Sequence, residues 1–233
     1  MDRANVFILP GLLEDADAFE AVIEGLRDVA TCVVADLTRA NTMAGLAKEA
    51  LKQAPWEKFL LAGHSMGGYV ALEVMRQAPQ RVTALALLNT NARPDTPEST
   101  ENRRRLMALA DRDFEAVSTT LLPRLMNKEH LEDPLLTGTI GQMALAVGKD
   151  SFKRQEEAII GRIDSRPHLK DIRCPTLVIA ASEDQLMPVA VLKEMADAIP
   201  GARLEVVEDS GHMTTLEHPE RIVELLRDWA TAG

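Results

Sequence analysis

One serine, one histidine and one aspartate, far apart in this chain, are of the types and in the order that could transfer an acyl group. Gly63-His64-Ser65-Met66-Gly67 matches the pattern G-x-S-x-G. The apolar run KFLLAG (58–63) precedes it and a helix-period run follows it. In that setting a serine sits on a sharp strand-to-helix turn, with its oxygen above the carboxyl end of the strand and the first helical amides turned toward the same point. Gly63 and Gly67 give the turn the room it needs. A serine hydroxyl is a poor nucleophile near neutral pH. It needs a general base, and the base needs an acid to orient it.

His64 is adjacent, but the turn sends neighbouring side chains in different directions, so His64 reads as a structural residue beside the turn. His130 and His168 lie in or beside a segment without strands, and His218 precedes Pro219 at a helix start. His212 is the predicted base. It lies in EDSGHMTTLEHP, directly after the last strand-like run, where a loop can carry its ring over Ser65. The acid is expected from another such loop, between the two in chain order. Asp184 in AASEDQLMP is that residue. Glu183 should face elsewhere, Asp209 is only three residues from His212 on the same loop, and Asn89 and Asn91 cannot ionise. Oxyanion donors are expected at the backbone N–H of Met66 and at that of Leu12, in LPGLL (9–13), where Gly11 permits a close backbone approach.

Six short aliphatic runs must position these residues: 5–9, 31–37, 58–63, 82–89, 176–182 and 202–208. Helix-period segments alternate with them, among them 66–77, stopped by Pro79, and 219–230, with Ile222, Leu225, Leu226 and Trp229 on one face. Such alternation predicts parallel strands joined by right-handed crossovers, in a sheet covered on both faces. The alternation breaks between 92 and 168, a helix-period stretch rich in Leu and Met. The expected organisation is an α/β core over 1–91 and 169–233 with a helical cap over 92–168.

With these residues in view, the sequence resembles the α/β-hydrolase superfamily, and most of all its small, cofactor-free esterases and lactonases. LPGLL, GHSMGGYVALE, APQRVTALALLNT, CPTLVIAASEDQLMP and DSGHMTTLEHPE carry the resemblance. It implies Ser65 as nucleophile, Asp184 as acid, His212 as base, Leu12 and Met66 as oxyanion donors, and no metal or cofactor. Two features depart from the family. There is room for only one strand before Gly11, so a six-stranded, mostly parallel sheet without the N-terminal hairpin is expected. Pro10 stands where many members have a histidine, so a hydrogen bond bracing that loop is expected to be missing.

The chain carries 26 Lys and Arg against 36 Asp and Glu, a formal charge of −10, which argues against nucleic acid or anionic membranes as partners. No apolar run has membrane-spanning length, no signal peptide is read at the start, and Cys32 and Cys174 read as buried reduced thiols. A cytoplasmic enzyme acting on a small-molecule ester or lactone is the expectation. C–C bond hydrolysis, thioester hydrolysis and acyl transfer would use the same residues, and a receptor using the fold only for binding is the rival from another class. A Leu/Met-rich cap and 3% aromatic residues predict an aliphatic acyl pocket of small to medium size. Glu14, Asp15 and Asp17 beside Leu12 are expected to disfavour a substrate carboxylate, and NRRRL (102–106) reads as a solvated helix face.

Overall fold

The computed structural model describes residues 3–231. Its six strands are β1 (Ala4–Leu9), β2 (Ala30–Val34), β3 (Phe59–His64), β4 (Val82–Leu88), β5 (Thr176–Ala181) and β6 (Arg203–Val207). All neighbours pair in parallel, in the order β2-β1-β3-β4-β5-β6. The six-stranded parallel sheet is as expected, and no hairpin precedes β1 among the described residues. Strand β2 is shorter than its apolar run: β1 ends at Leu9, and Ala35 N–H finds the last carbonyl in reach, Ile8, at 2.9 Å.

Period-two alternation sends neighbouring strand residues to opposite faces. Phe7, Leu61, Leu85, Leu87 and Val178 face one way, against helices α2 (Met43–Gln53), α3 (Met66–Gln77) and α9 (Val189–Ala198). Val6, Ile8, Ala84, Ala86 and Ile179 face the other, against α1 (Glu20–Leu26) and, after the short α10 (Thr214–Glu217), α11 (Pro219–Thr231). On α11, Ile222, Leu225, Leu226 and Trp229 are all buried, the stripe the sequence spacing predicts.

Between β4 and β5 the chain forms only helices among the described residues: α4 (Pro97–Arg112), α5 (Glu115–Leu125), α6 (Pro134–Val147), α7 (Lys149–Ile160) and the short α8 (Arg166–Leu169). Caps fix where they start. Thr96 Oγ1 accepts from Ser99 N–H, and Asp133 Oδ1 accepts from Leu135 N–H. Strand order reverses direction between β1 and β3, so the loops leaving their carboxyl ends diverge there and open a crevice. That crevice lies beneath α4 to α7.

Candidate active site

Ser65 occupies the turn between β3 and α3 with φ 51° and ψ −116°, a conformation that an L-residue holds only when its surroundings enforce it. They do: Ser65 N–H donates to Leu88 O at 2.9 Å, and Thr90 Oγ1 donates to Ser65 O at 2.8 Å. A Cβ on Gly67 would strike the backbone of Leu9 and Pro10, so only glycine lets α3 approach β1 this closely.

His212 comes from the loop after β6 and Asp184 from the loop after β5. His212 Nε2 lies 2.8 Å from Ser65 Oγ, and His212 Nδ1 lies 2.7 Å from Asp184 Oδ2. Both side chains are buried. Asp184 also accepts from Leu186 N–H and Met187 N–H through Oδ1 and from Asn89 Nδ2 through Oδ2. Burial alone would raise the Asp184 carboxyl, but His212 and these donors outweigh it and bring the pKa to about 2. Asn89, weighed in the sequence only as a residue that cannot ionise, is one of those donors. Glu183 and Asp209 are exposed. His130 pairs with Glu217, His218 bonds Asp209 O, and His168 is exposed, so none of the three meets Ser65.

Leu12 and Met66 line the same cleft as Ser65 and His212, and neither amide has an acceptor among the described residues. The loop that carries Leu12 departs from expectation. A brace does exist, and Glu14 supplies it. The Glu14 carboxylate accepts from Gly11 N–H at 2.7 Å and lies 2.9 Å from His64 Nδ1, while His64 Nε2–H donates to His212 O at 2.9 Å. Gln155 Oε1 accepts from Leu13 N–H at 3.2 Å, where Leu13 sits at φ 62°. His64 is therefore structural, as expected, but it also ties the Leu12 loop to the His212 backbone. Burial opposes its protonation, and Glu14 outweighs that and raises the imidazole pKa. No sequence signal marks Glu14, because an acid in a loop ordinarily reads as solvated.

Three smaller expectations change. Asp15 and Asp17 lie outside the cleft lining, so of the three loop acids only Glu14 lines it, paired with His64. Arg103 of NRRRL is not on a solvated face: it pairs with Asp95 and Glu156. Cys32 and Cys174 are free thiols, half-buried rather than buried, and burial lifts Cys32 to about 11.

The cleft measures about 440 Å³. Its lining includes an apolar set, Leu106, Leu121, Leu125, Ile140, Met143 and Met213, and a polar set, Tyr69, Asn91, Asp95, Arg103 and Glu156. Five of the six apolar residues belong to the Leu/Met-rich segment 92–168, and Met213 comes from the loop after β6. The polar set was not legible in the sequence.

A parallel sheet wound on both faces, with its cleft at the reversal of strand order, defines an α/β protein whose cleft opens at the strands' carboxyl edge. The family model described as alpha/beta hydrolase fold matches residues 4–219, and the chain belongs to that family. It is an enzyme of the α/β-hydrolase type. The chain is 31% identical over 199 residues, 82% of this chain and 73% of the relative, to RutD of Klebsiella pneumoniae subsp. pneumoniae, which carries a provisional name as a carbamate hydrolase. It is 28% identical to a pimeloyl-[acyl-carrier protein] methyl ester esterase of Aromatoleum aromaticum, across 82% of this chain and 80% of that one. A solved thermophilic esterase from Thermogutta terrifontis superposes with a TM-score of 0.90 at 30% identity, covering 97% of this chain and 89% of the other. No helix among the described residues is long and apolar enough to cross a membrane.

Proposed function

We propose that the protein hydrolyses carboxylic esters or lactones through a covalent acyl-enzyme on Ser65. The observation that carries this reading is the unbroken hydrogen-bonded chain Ser65–His212–Asp184, at 2.8 and 2.7 Å, opening onto the cleft. His212 Nε2 takes the proton of Ser65 Oγ as that oxygen bonds to the substrate carbonyl carbon. The Leu12 and Met66 amides receive the negative charge on the carbonyl oxygen. The C–O bond then breaks and His212 returns the proton to the leaving alkoxide. Water, deprotonated by His212, adds to the acyl carbon, and Ser65 leaves as the alcohol. Asp184 fixes the ring and balances the imidazolium charge. Residues 92–168 act as the cap over this site, with 1–91 and 169–233 as the core, and the apolar lining receives an aliphatic group. The esterase names carried by the relatives from Aromatoleum and Thermogutta support ester hydrolysis over the other acyl chemistries.

The test is covalent labelling by a fluorophosphonate together with p-nitrophenyl ester turnover. Wild type should label on Ser65, and Ser65→Ala should lose labelling and at least about a thousandfold in kcat. Asp184→Asn should lose kcat by up to about ten-thousandfold, through the wrong imidazole tautomer, and Asp209→Asn far less. Labelling that survives in Ser65→Ala sinks the mechanism.

A further inference from the structure

The polar set of the cleft lining has no part in the chemistry proposed at Ser65. Arg103, on α4, donates from Nη1 to Glu156 Oε2 at 2.8 Å and from Nε to Asp95 Oδ1 at 3.3 Å. Arg162, just after α7, donates to the same Asp95 oxygen at 2.8 Å, and its guanidinium carbon lies 4.4 Å from the centre of the Tyr69 ring. Two guanidinium charges thus meet two carboxylates.

One atom in this cluster is unserved. The Glu156 side chain has 0% exposure, yet its Oε1 has no hydrogen-bond partner among the described residues. Leaving a buried oxygen of a charged group without a donor is costly, and such an atom calls for an occupant that supplies one. Burial raises the Glu156 carboxyl pKa and Arg103 only partly offsets it, consistent with one oxygen paired and the other not. Tyr69 adds a second group: its hydroxyl accepts from Asn91 Nδ2 at 3.3 Å and donates to no acceptor among the described residues. Glu156 and Tyr69 both line the cleft that holds Ser65.

We infer that Glu156 Oε1 is the recognition atom of a polar subsite, where the substrate presents a neutral hydroxyl or carboxamide remote from its scissile carbonyl. Either group supplies a donor for the carboxylate and an oxygen for the Tyr69 proton. A substrate carboxylate would face Asp95 and Glu156, and an ammonium would face Arg103 and Arg162. Because those four charges already balance, a charged group would lose its hydration without gaining a free counter-charge. The inference rests on the ester chemistry proposed at Ser65, and it makes the substrate amphipathic, with an aliphatic stretch along Leu106, Leu121 and Met143 and a polar terminus.

The experiment compares matched p-nitrophenyl esters ending in hydroxyl or in methyl, over a range of acyl lengths. A second arm uses acetate esters of diols and of the matching alcohols, so that the polar terminus lies on the leaving group. In one arm, the hydroxyl-to-methyl ratio of kcat/KM should peak at one chain length, about tenfold above its value at the shortest length. At that length the carboxylate- and ammonium-terminated analogues should be slower than the hydroxyl ester. Glu156→Met should flatten the peak. Ratios without a maximum in both arms overturn the subsite, and so does a folded Glu156→Met that keeps the peak. If that variant does not fold, the wild-type series decides by itself. Absence of ester turnover and of Ser65 labelling would instead remove the proposed function and the subsite with it. Retained turnover with flat ratios removes the subsite alone.

Discussion

The two nitrogens of His64 both face acceptors, a carboxylate on one side and a backbone carbonyl on the other. A neutral imidazole carries one N–H, so the contact with Glu14 holds a further proton between the two groups. The buried pair therefore has the proton count of an imidazolium and a carboxylate. A raised folded pKa means that this stabilisation is complete below the unfolded value of about 6.5 and is lost as pH rises through the folded value. Losing that proton puts a ring lone pair against a carboxylate and loosens the tie between Gly11 and His212. Two variants separate this from simple packing. In Glu14→Gln the amide oxygen can accept from Gly11 and the amide N–H can donate to Nδ1 of a neutral His64, so every bond survives without the titrating proton. Its kcat should stay within about threefold of wild type near neutral pH, and its alkaline loss of rate should be weaker. Glu14→Ala should lose kcat by about tenfold or more, with a smaller change in KM, because a displaced oxyanion donor costs transition-state binding. Equal activity in Glu14→Ala and wild type, from pH–rate profiles, would dismiss the brace.

Elements were legible where the physics is local. Aliphatic runs gave each strand, and helix periods gave α3 and α11, to within a few residues, because burial leaves little choice of residue; α9, between β5 and β6, was not singled out. The stripe on α11 is a legible case, and it sets an expected cost. Leu225→Ala empties a buried site against the sheet and should lower unfolding free energy by about 2–5 kcal/mol, with an unchanged urea m-value. Arg227→Ala on the same helix breaks a solvent-screened pair with Asp28 and should leave the urea midpoint close to that of wild type. A Leu225→Ala midpoint equal to that of Arg227→Ala would mean that α11 does not hold the core. What stayed illegible is contact across long stretches of chain. Arg103 and Glu156 are 53 residues apart and Glu14 and His64 are 50 apart, on elements whose approach only the fold specifies. Read singly, each is a charged residue on a loop or a polar helix face. The Ser65, His212 and Asp184 positions were legible despite greater separations, because each lies directly after a strand of a parallel sheet.

At the scale of the whole molecule, the charge of −10 and the charges of the cleft act differently on an anionic substrate. Four arginines line the cleft, Arg93, Arg103, Arg124 and Arg162, against four acids, Glu14, Asp95, Glu98 and Glu156. The lining is therefore balanced, whereas the molecule is not. Of the three loop acids that the sequence sets against a substrate carboxylate, Asp15 and Asp17 lie outside the cleft, and Glu14, which lines it, is paired with His64. The distant field remains, and salt screens it: the Debye length falls from about 30 Å at 0.01 M to about 3 Å at 1 M. A succinyl half-ester should accordingly have a lower kcat/KM than a neutral ester of equal length at low ionic strength, and raising the salt should narrow the gap by several-fold. The neutral ester should change little over the same range. The remainder at high salt measures the local cost of placing a carboxylate beside Asp95 and Glu156. A gap that widens with salt, or a succinyl ester that is faster at 0.01 M, would mean that an unpaired arginine of the lining binds the carboxylate, with Arg124 the first to substitute because none of its ion pairs is seen among the described residues.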